Sequence, residues 1–178
     1  MRNLLTGFLA VVLLATASPV FAQPPGVMGP QQGSWETTFA IGARNDRDFD
    51  RGRVDFDMTL GNYITRNLLL GVRQEYSWDG GTNVADTWVA STRGIADWHF
   101  DLGEWRPFVG VNFGYRYGDL VRDTWTLGPQ AGLKWYIYDQ AFVFGRVEYE
   151  TFFRRGRDID DGFRNGNFIY TIGIGLGF

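Results

Sequence analysis

A chain with one histidine and no cysteine has few routes to covalent chemistry. Without cysteine there is no thiol nucleophile, thiolate metal site or disulfide. His99 is the sole imidazole, and a triad would need a nucleophile and an orienting acid converging on it. Its flanking residues are Trp98 and Phe100, no Ser or Thr lies close in sequence, and Ser91 is eight positions upstream. We therefore expect no catalytic residues and read His99 as a rim or lumen histidine bonded to a carboxylate such as Asp97. The run Arg154 to Gly166 holds Asp158, Asp160 and Asp161, oxygen ligands of the kind that bind divalent cations. The later bidentate Glu of a full calcium loop is missing, so the expectation is a solvated charged loop. Neither a metal site nor a cofactor is expected.

The other charges follow a strict spacing. Arg44, Arg53, Arg73, Arg93, Arg116, Lys134 and Arg146 share one parity with seven acids. Those acids are Glu36, Asp55, Asp57, Glu75, Asp97, Glu148 and Glu150. Equal numbers of opposite charge on every second residue read as one polar face of a sheet, with cations and carboxylates paired. Two functions are open to such a face. One is a network that fills an interior, the other a conduit without ion selectivity.

The elements that must position these charges are strands. Residues 1–22 carry Arg2, an apolar stretch from Leu4 to Ala15, and Val20 and Ala22 at the small-residue positions before a cleavage site. This is a secretory signal peptide, too short for a spanning helix. Residues 23–33 (QPPGVMGPQQG) read as a flexible lead-in. From Ser34 the period is two, in eight runs at 34–44, 53–62, 68–78, 87–98, 108–118, 125–137, 141–153 and 167–178. Four longer connections fall at 45–52, 79–86, 119–124 and 154–166. Shorter turns fall near 62–67, 100–107 and 138–140. Pro129 inside the sixth run removes a ladder donor and predicts a bulge.

The chain has 178 residues, 17% of them aromatic, with 24 glycines and a net charge of −3. The mildly acidic balance argues against nucleic acid as a partner. Bulk decides which face is inside. The apolar parity holds six tryptophans, and the charged parity holds Gly42, Gly61, Gly71, Gly110, Gly114, Gly128, Gly132, Gly173, Gly175 and Gly177. An eight-stranded barrel has an interior that side chains just fill, so small and charged residues belong within and bulky apolar ones outside, facing lipid. Aromatics cluster at the two strand ends: Trp35, Trp98 and Trp135 at one, Trp78, Trp88, Tyr117 and Trp125 at the other. Two aromatic girdles around an aliphatic band describe a transmembrane barrel. With a signal peptide, the expected place is the outer membrane of a Gram-negative-type bacterium.

Three stretches carry a family likeness: Leu60 to Leu68, Trp105 to Gly110 and Gly128 to Lys134. With the closing run Phe168 to Phe178, the chain resembles the small eight-stranded outer-membrane barrels. These include the OmpA transmembrane domain, OmpX, OmpW and the opacity-type surface antigens. The resemblance covers about 34–178 and implies an all-β, antiparallel, up-and-down barrel. It implies lipid and lipopolysaccharide as surroundings, and a C-terminal signal for the assembly machinery formed by Tyr170, Ile172, Ile174, Leu176 and Phe178. A structural or surface-contact role through the outer loops is the expected function, with the surface ligand open. Alternatives are a narrow porin-like channel, as the OmpW likeness suggests, and a lipid A-modifying enzyme.

Overall fold

The structure is a computed structural model. It describes residues 29–45, 52–81, 84–118, 124–153 and 166–178, with side chains described for all but a few positions at strand ends. The expected signal peptide and most of the four longer connections lie outside the described residues.

Eight strands follow one another: β1 (Trp35–Asn45), β2 (Gly52–Tyr63), β3 (Leu68–Gly81), β4 (Val84–His99), β5 (Trp105–Gly118), β6 (Thr124–Tyr136), β7 (Ala141–Phe153) and β8 (Asn167–Gly177). Each pairs antiparallel with the next, and β8 returns to β1 from Glu36↔Gly177 to Asn45↔Phe168, closing the barrel. Closure leaves no open edge among these strands, so every ladder has a neighbour on both sides. The short turns and the β1 and β8 ends that meet at Trp35 and Phe178 share one rim, called here the turn rim. The opposite end is the loop rim.

The expected runs coincide with the strands except at particular ends. β3 and β4 continue to Gly81 and Val84, so most of the loop expected at 79–86 is strand. A register shift between Asp79 and Gly81 marks an irregularity there. β5 begins at Trp105, inside the turn expected at 100–107. The bulge expected at Pro129 is absent. Leu127↔Thr151 and Gln130↔Glu148 keep one register, and pairing with β7 lapses only between them. On its other side Pro129 stays in step with Val111. At the neighbouring Gly128 a Cβ would collide with the Tyr149 carbonyl, so β6 and β7 run close together there.

From Gly29 onward the lead-in is bound, contrary to the expectation of a flexible tether. Gly29 and Pro30 are buried, and Gly33 N–H donates to the Tyr63 carbonyl at 2.7 Å. Residues 23–28 lie outside the described residues.

The two faces separate as bulk requires. Phe39, Phe56, Val72, Phe113 and Ile172 are exposed on the outer wall, Ile172 at 74%. Arg73, Arg93 and Glu148 are buried within. Glycines report the same division. At outward Gly145 a Cβ would meet nothing, whereas at inward Gly71, Gly110 and Gly114 it would strike neighbouring backbone.

Two substitutions test this assignment. Ile172→Arg places a guanidinium on the outer wall at mid-strand and should cost ~2–4 kcal/mol in a folding titration into lipid. Gly145→Ala should be close to neutral in the same assay, while Gly114→Ala should cost ~1–3 kcal/mol through overpacking.

Candidate functional site in the lumen

Lumen charges converge because alternate residues of all eight strands point at one axis. Glu148 on β7 is the hub. Its Oε2 lies 2.7 Å from Arg73 Nη1 and 3.6 Å from Arg146 Nε, and its Oε1 accepts from Arg93 Nη1. Three guanidiniums on three strands thus share one carboxylate. Each has further partners. Arg73 donates to Gln130 Oε1 at 3.0 Å and Thr59 Oγ1 at 3.3 Å. Arg93 reaches Glu75 and Glu150, both at 2.9 Å. Arg146 reaches Asp57 at 2.5 Å and Thr171 Oγ1 at 3.2 Å.

Towards the loop rim, Arg116 pairs with Glu150 at 2.9 Å, and Ser77 Oγ donates to Asp55. Asp97 accepts from the neutral Gln130 Nε2 at 2.5 Å. The Arg44 side chain lies outside the described residues. Towards the turn rim, Lys134 Nζ sits 2.6 Å from Glu36, with Tyr63 Oη donating to the same carboxylate at 2.9 Å.

Below this level the interior changes character. Lys134 Nζ lies over the rings of Phe142 at 4.9 Å, Tyr63 at 5.5 Å and Phe108 at 5.7 Å. These rings, with Tyr136 and Phe144, form a buried aromatic floor that the bulk argument missed. The signal for it was in the glycines. Phe108 stands opposite Gly132, Phe142 opposite Gly175 and Phe144 opposite Gly173. A Cβ at any of the three glycines would enter the facing ring. Arg106, also missed, is fully buried at this rim, 3.0 Å from Asp101 and 5.7 Å from the Tyr136 ring centroid.

His99 corrects an expectation. Among the described residues it is not bonded to Asp97 or any other carboxylate. Its ring is buried between Tyr63 and Phe108, at centroid distances of 5.4 and 5.2 Å, and neither nitrogen has a partner among the described residues. Packing wins here because the lumen at that height is aromatic. Ser91 accepts from Arg93 Nε at 3.0 Å and lies eight residues away along the same strand. That spacing is roughly 27 Å, far beyond nucleophile–base contact.

The girdle residues occupy both rims. Trp35, Trp98 and Trp135 are exposed at the turn rim, joined by Trp105, which stacks on Trp135 at 5.3 Å. At the loop rim Trp88 meets Tyr117 edge-on at 6.3 Å, and Trp125 stacks on Phe113 at 5.1 Å. Trp78 pairs with Trp88 in the ladder, its side chain outside the described residues. On β8, Tyr170, Ile172, Ile174 and Leu176 face outward, and Phe178 exchanges backbone hydrogen bonds with Trp35 at 2.8 and 2.9 Å. The Asp158, Asp160 and Asp161 loop lies outside the described residues. Among those described, no group of three or more His, Asp or Glu residues could hold a metal ion. A groove of about 1120 Å³ lies largely on the outer wall, among Phe39, Ile41, Phe56, Met58, Ile172 and Ile174. Its apolar lining suits acyl chains.

An apolar outer wall, two aromatic girdles and an interior lined with charges define a transmembrane β-barrel. Among solved structures, the chain is similar to Neisserial surface protein A (NspA), with a TM-score of 0.63 and 12% identity over 82% of this chain and 96% of that one. It is also similar to the N-terminal β-barrel domain of Pseudomonas aeruginosa OprF, with a TM-score of 0.57 and 16% identity over 84% and 100%. The outer membrane enzyme PagL matches with a TM-score of 0.51 and 16% identity over 79% and 98%. No family model and no curated protein sequence matches. At these identities the likeness is one of fold, that of the small eight-stranded outer-membrane barrels.

The hub makes a quantitative contrast. Glu148→Gln strands the buried Arg73 guanidinium, whose other hydrogen-bond partners Gln130 and Thr59 are neutral, and should cost ~3–5 kcal/mol in folding titrations. Arg66→Ala, at a solvent-exposed pair 3.4 Å from Asp101, should cost no more than ~1 kcal/mol.

Proposed function

We propose that this protein is a non-enzymatic integral outer-membrane barrel whose lumen is closed by paired charges. Its role is structural, or is exercised at the cell surface through the loops of the loop rim. The observation that carries this reading is the Glu148 hub. Arg73, Arg93, Gln130 and Glu148 are buried together across the interior at mid-height, joining strands β3, β4, β6 and β7. A solute would have to break charge-assisted hydrogen bonds to pass. Against a lipid A-modifying role stand the burial of His99 in the aromatic floor and the engagement of Ser91 with Arg93.

In this reading an N-terminal signal directs export, and the turn rim faces the periplasm. The loop rim faces lipopolysaccharide, whose phosphates suit the arginines of the 154–166 loop. The assembly machinery is the partner of β8, with Phe178 as its terminal aromatic.

Planar-bilayer recording tests the closed lumen. The wild-type protein should give no discrete conductance steps above the bare-bilayer baseline, and Arg93→Ala should introduce them. Regular steps from the wild type would instead establish a narrow channel. Mass spectrometry of lipid A from cells with and without the protein should give identical profiles. Any mass change dependent on the protein would replace this reading with an enzymatic one.

The assembly role has its own measurement. Deleting Phe178 should lower outer-membrane levels in cells at least several-fold, while purified protein still folds into detergent. Unchanged levels in cells would remove the assembly signal. Loss of folding in detergent would make Phe178 a structural residue instead.

A further inference from the structure

The segment before β1 crosses the turn-rim mouth of the barrel. It leaves the wall at Ser34, whose carbonyl accepts from Tyr63 N–H at 2.9 Å. The Gly33 carbonyl accepts from Asn62 Nδ2 at 3.0 Å, and Gln31 N–H donates to Ser34 Oγ at 3.0 Å. Five residues before Ser34, Gly29 N–H donates to the Asp139 carbonyl in the β6–β7 turn at 3.1 Å. There Gly29 lies against the guanidinium of Arg106, which belongs to β5. In a closed ring of eight, β5 stands four strands from β1 in either direction, directly across the mouth.

Gly29 is favoured by its backbone: its φ of 82° lies in the left-handed region that side chains rarely adopt, and a Cβ there would displace the Arg106 guanidinium. Gly29 and Pro30 are buried, although nothing in their composition asks for it. Among the residues at this end, Tyr63, His99 and Arg106 are fully buried at a rim where an open barrel would expose them to solvent.

We propose that residues 29–34 form a strap that stoppers the turn-rim mouth, latched where Gly29 sits against Arg106. The mid-lumen ion pairs belong to the wall and cannot leave it. The strap hangs from a single strand and can. The barrel therefore has two closures of different kinds in series, one fixed and one removable. The strap closes the mouth whether or not the lumen conducts.

The chain has no cysteine, so one introduced thiol is unique. His99→Cys places it in the buried layer at the turn rim, and Phe100→Cys places it on the exposed turn. Each is refolded in detergent micelles, where both mouths meet solvent, and treated with a small charged methanethiosulfonate reagent. Modification is followed by intact mass. With the strap in place, His99→Cys should react at least 100-fold more slowly than Phe100→Cys. Adding Gly29→Val, which is strained at this φ and must displace the guanidinium, should speed the His99→Cys reaction at least tenfold and leave Phe100→Cys unchanged. Arg106→Ala frees the latch from the other side and should act in the same way. Circular dichroism confirms a folded barrel in each variant. Equal rates at the two thiols in the parent would overturn the proposal. So would a slow His99→Cys rate that neither latch variant alters, because the aromatic floor alone would then be the shield. Should neither latch variant fold, deletion of residues 29–33 takes their place, and a slow His99→Cys rate that survives the deletion overturns the proposal.

Discussion

A backbone amide in hydrocarbon has no water to bond, and each unsatisfied group costs several kcal/mol. Most of this structure follows from that one constraint. The ladder from Glu36↔Gly177 to Asn45↔Phe168 must form, since otherwise β1 and β8 would each present a row of bare donors and acceptors. Closing eight strands fixes the interior calibre. The calibre then sorts the side chains, with guanidiniums, carboxylates and glycines inside and the large aliphatic and indole groups outside. Charge sequestered in so narrow a space must be paired, and Glu148 meets the requirement for three arginines at once.

Period-two spacing made the strands and their two faces legible, because side-chain direction in a strand depends on parity and little else. The outward set, from Trp35 to Ile174, could be read without knowing which strands pair. Identifying who meets whom was another matter. Lys134 and Glu36 lie on the polar parity, but only the closed register brings the Lys134 ammonium across the lumen to within 2.6 Å of the Glu36 carboxylate. The aromatic floor was hidden for the same reason. Phe108 and Phe142 stand on the charged parity, and Gly132 and Gly175, which make room for their rings, become their neighbours only through strand pairing. Local rules misled at two points. A proline suggested a bulge where the register runs unchanged on both sides, and a Pro/Gly/Gln-rich lead-in suggested looseness where Gly29 and Pro30 are buried.

The lumen is layered along its axis. A continuous ion-pair network occupies the middle and the loop side, and on the turn side rings surround the Lys134–Glu36 pair. His99 belongs to the second layer. In this setting its chemistry matters less than its shape, a flat ring between Tyr63 and Phe108. The fold is shared with barrels of quite different roles, PagL among them, so chemistry must be argued from the lumen and loops of the individual chain.

The sequence distance spanned by the ion pairs bears on how such a barrel enters a membrane. Lys134 and Glu36 are 98 residues apart, Arg146 and Asp57 89, Arg73 and Glu148 75, and Arg93 and Glu148 55. None of these pairs can form within one hairpin. A half-inserted sheet of two or three hairpins would present several of these charges to lipid without their partners, at a cost of a few kcal/mol each. Every intermediate short of closure is thereby raised in energy, while the closed state is not. The charges that fill the lumen also act on the insertion pathway: they make stopping part-way unfavourable and bind eight strands into one cooperative event.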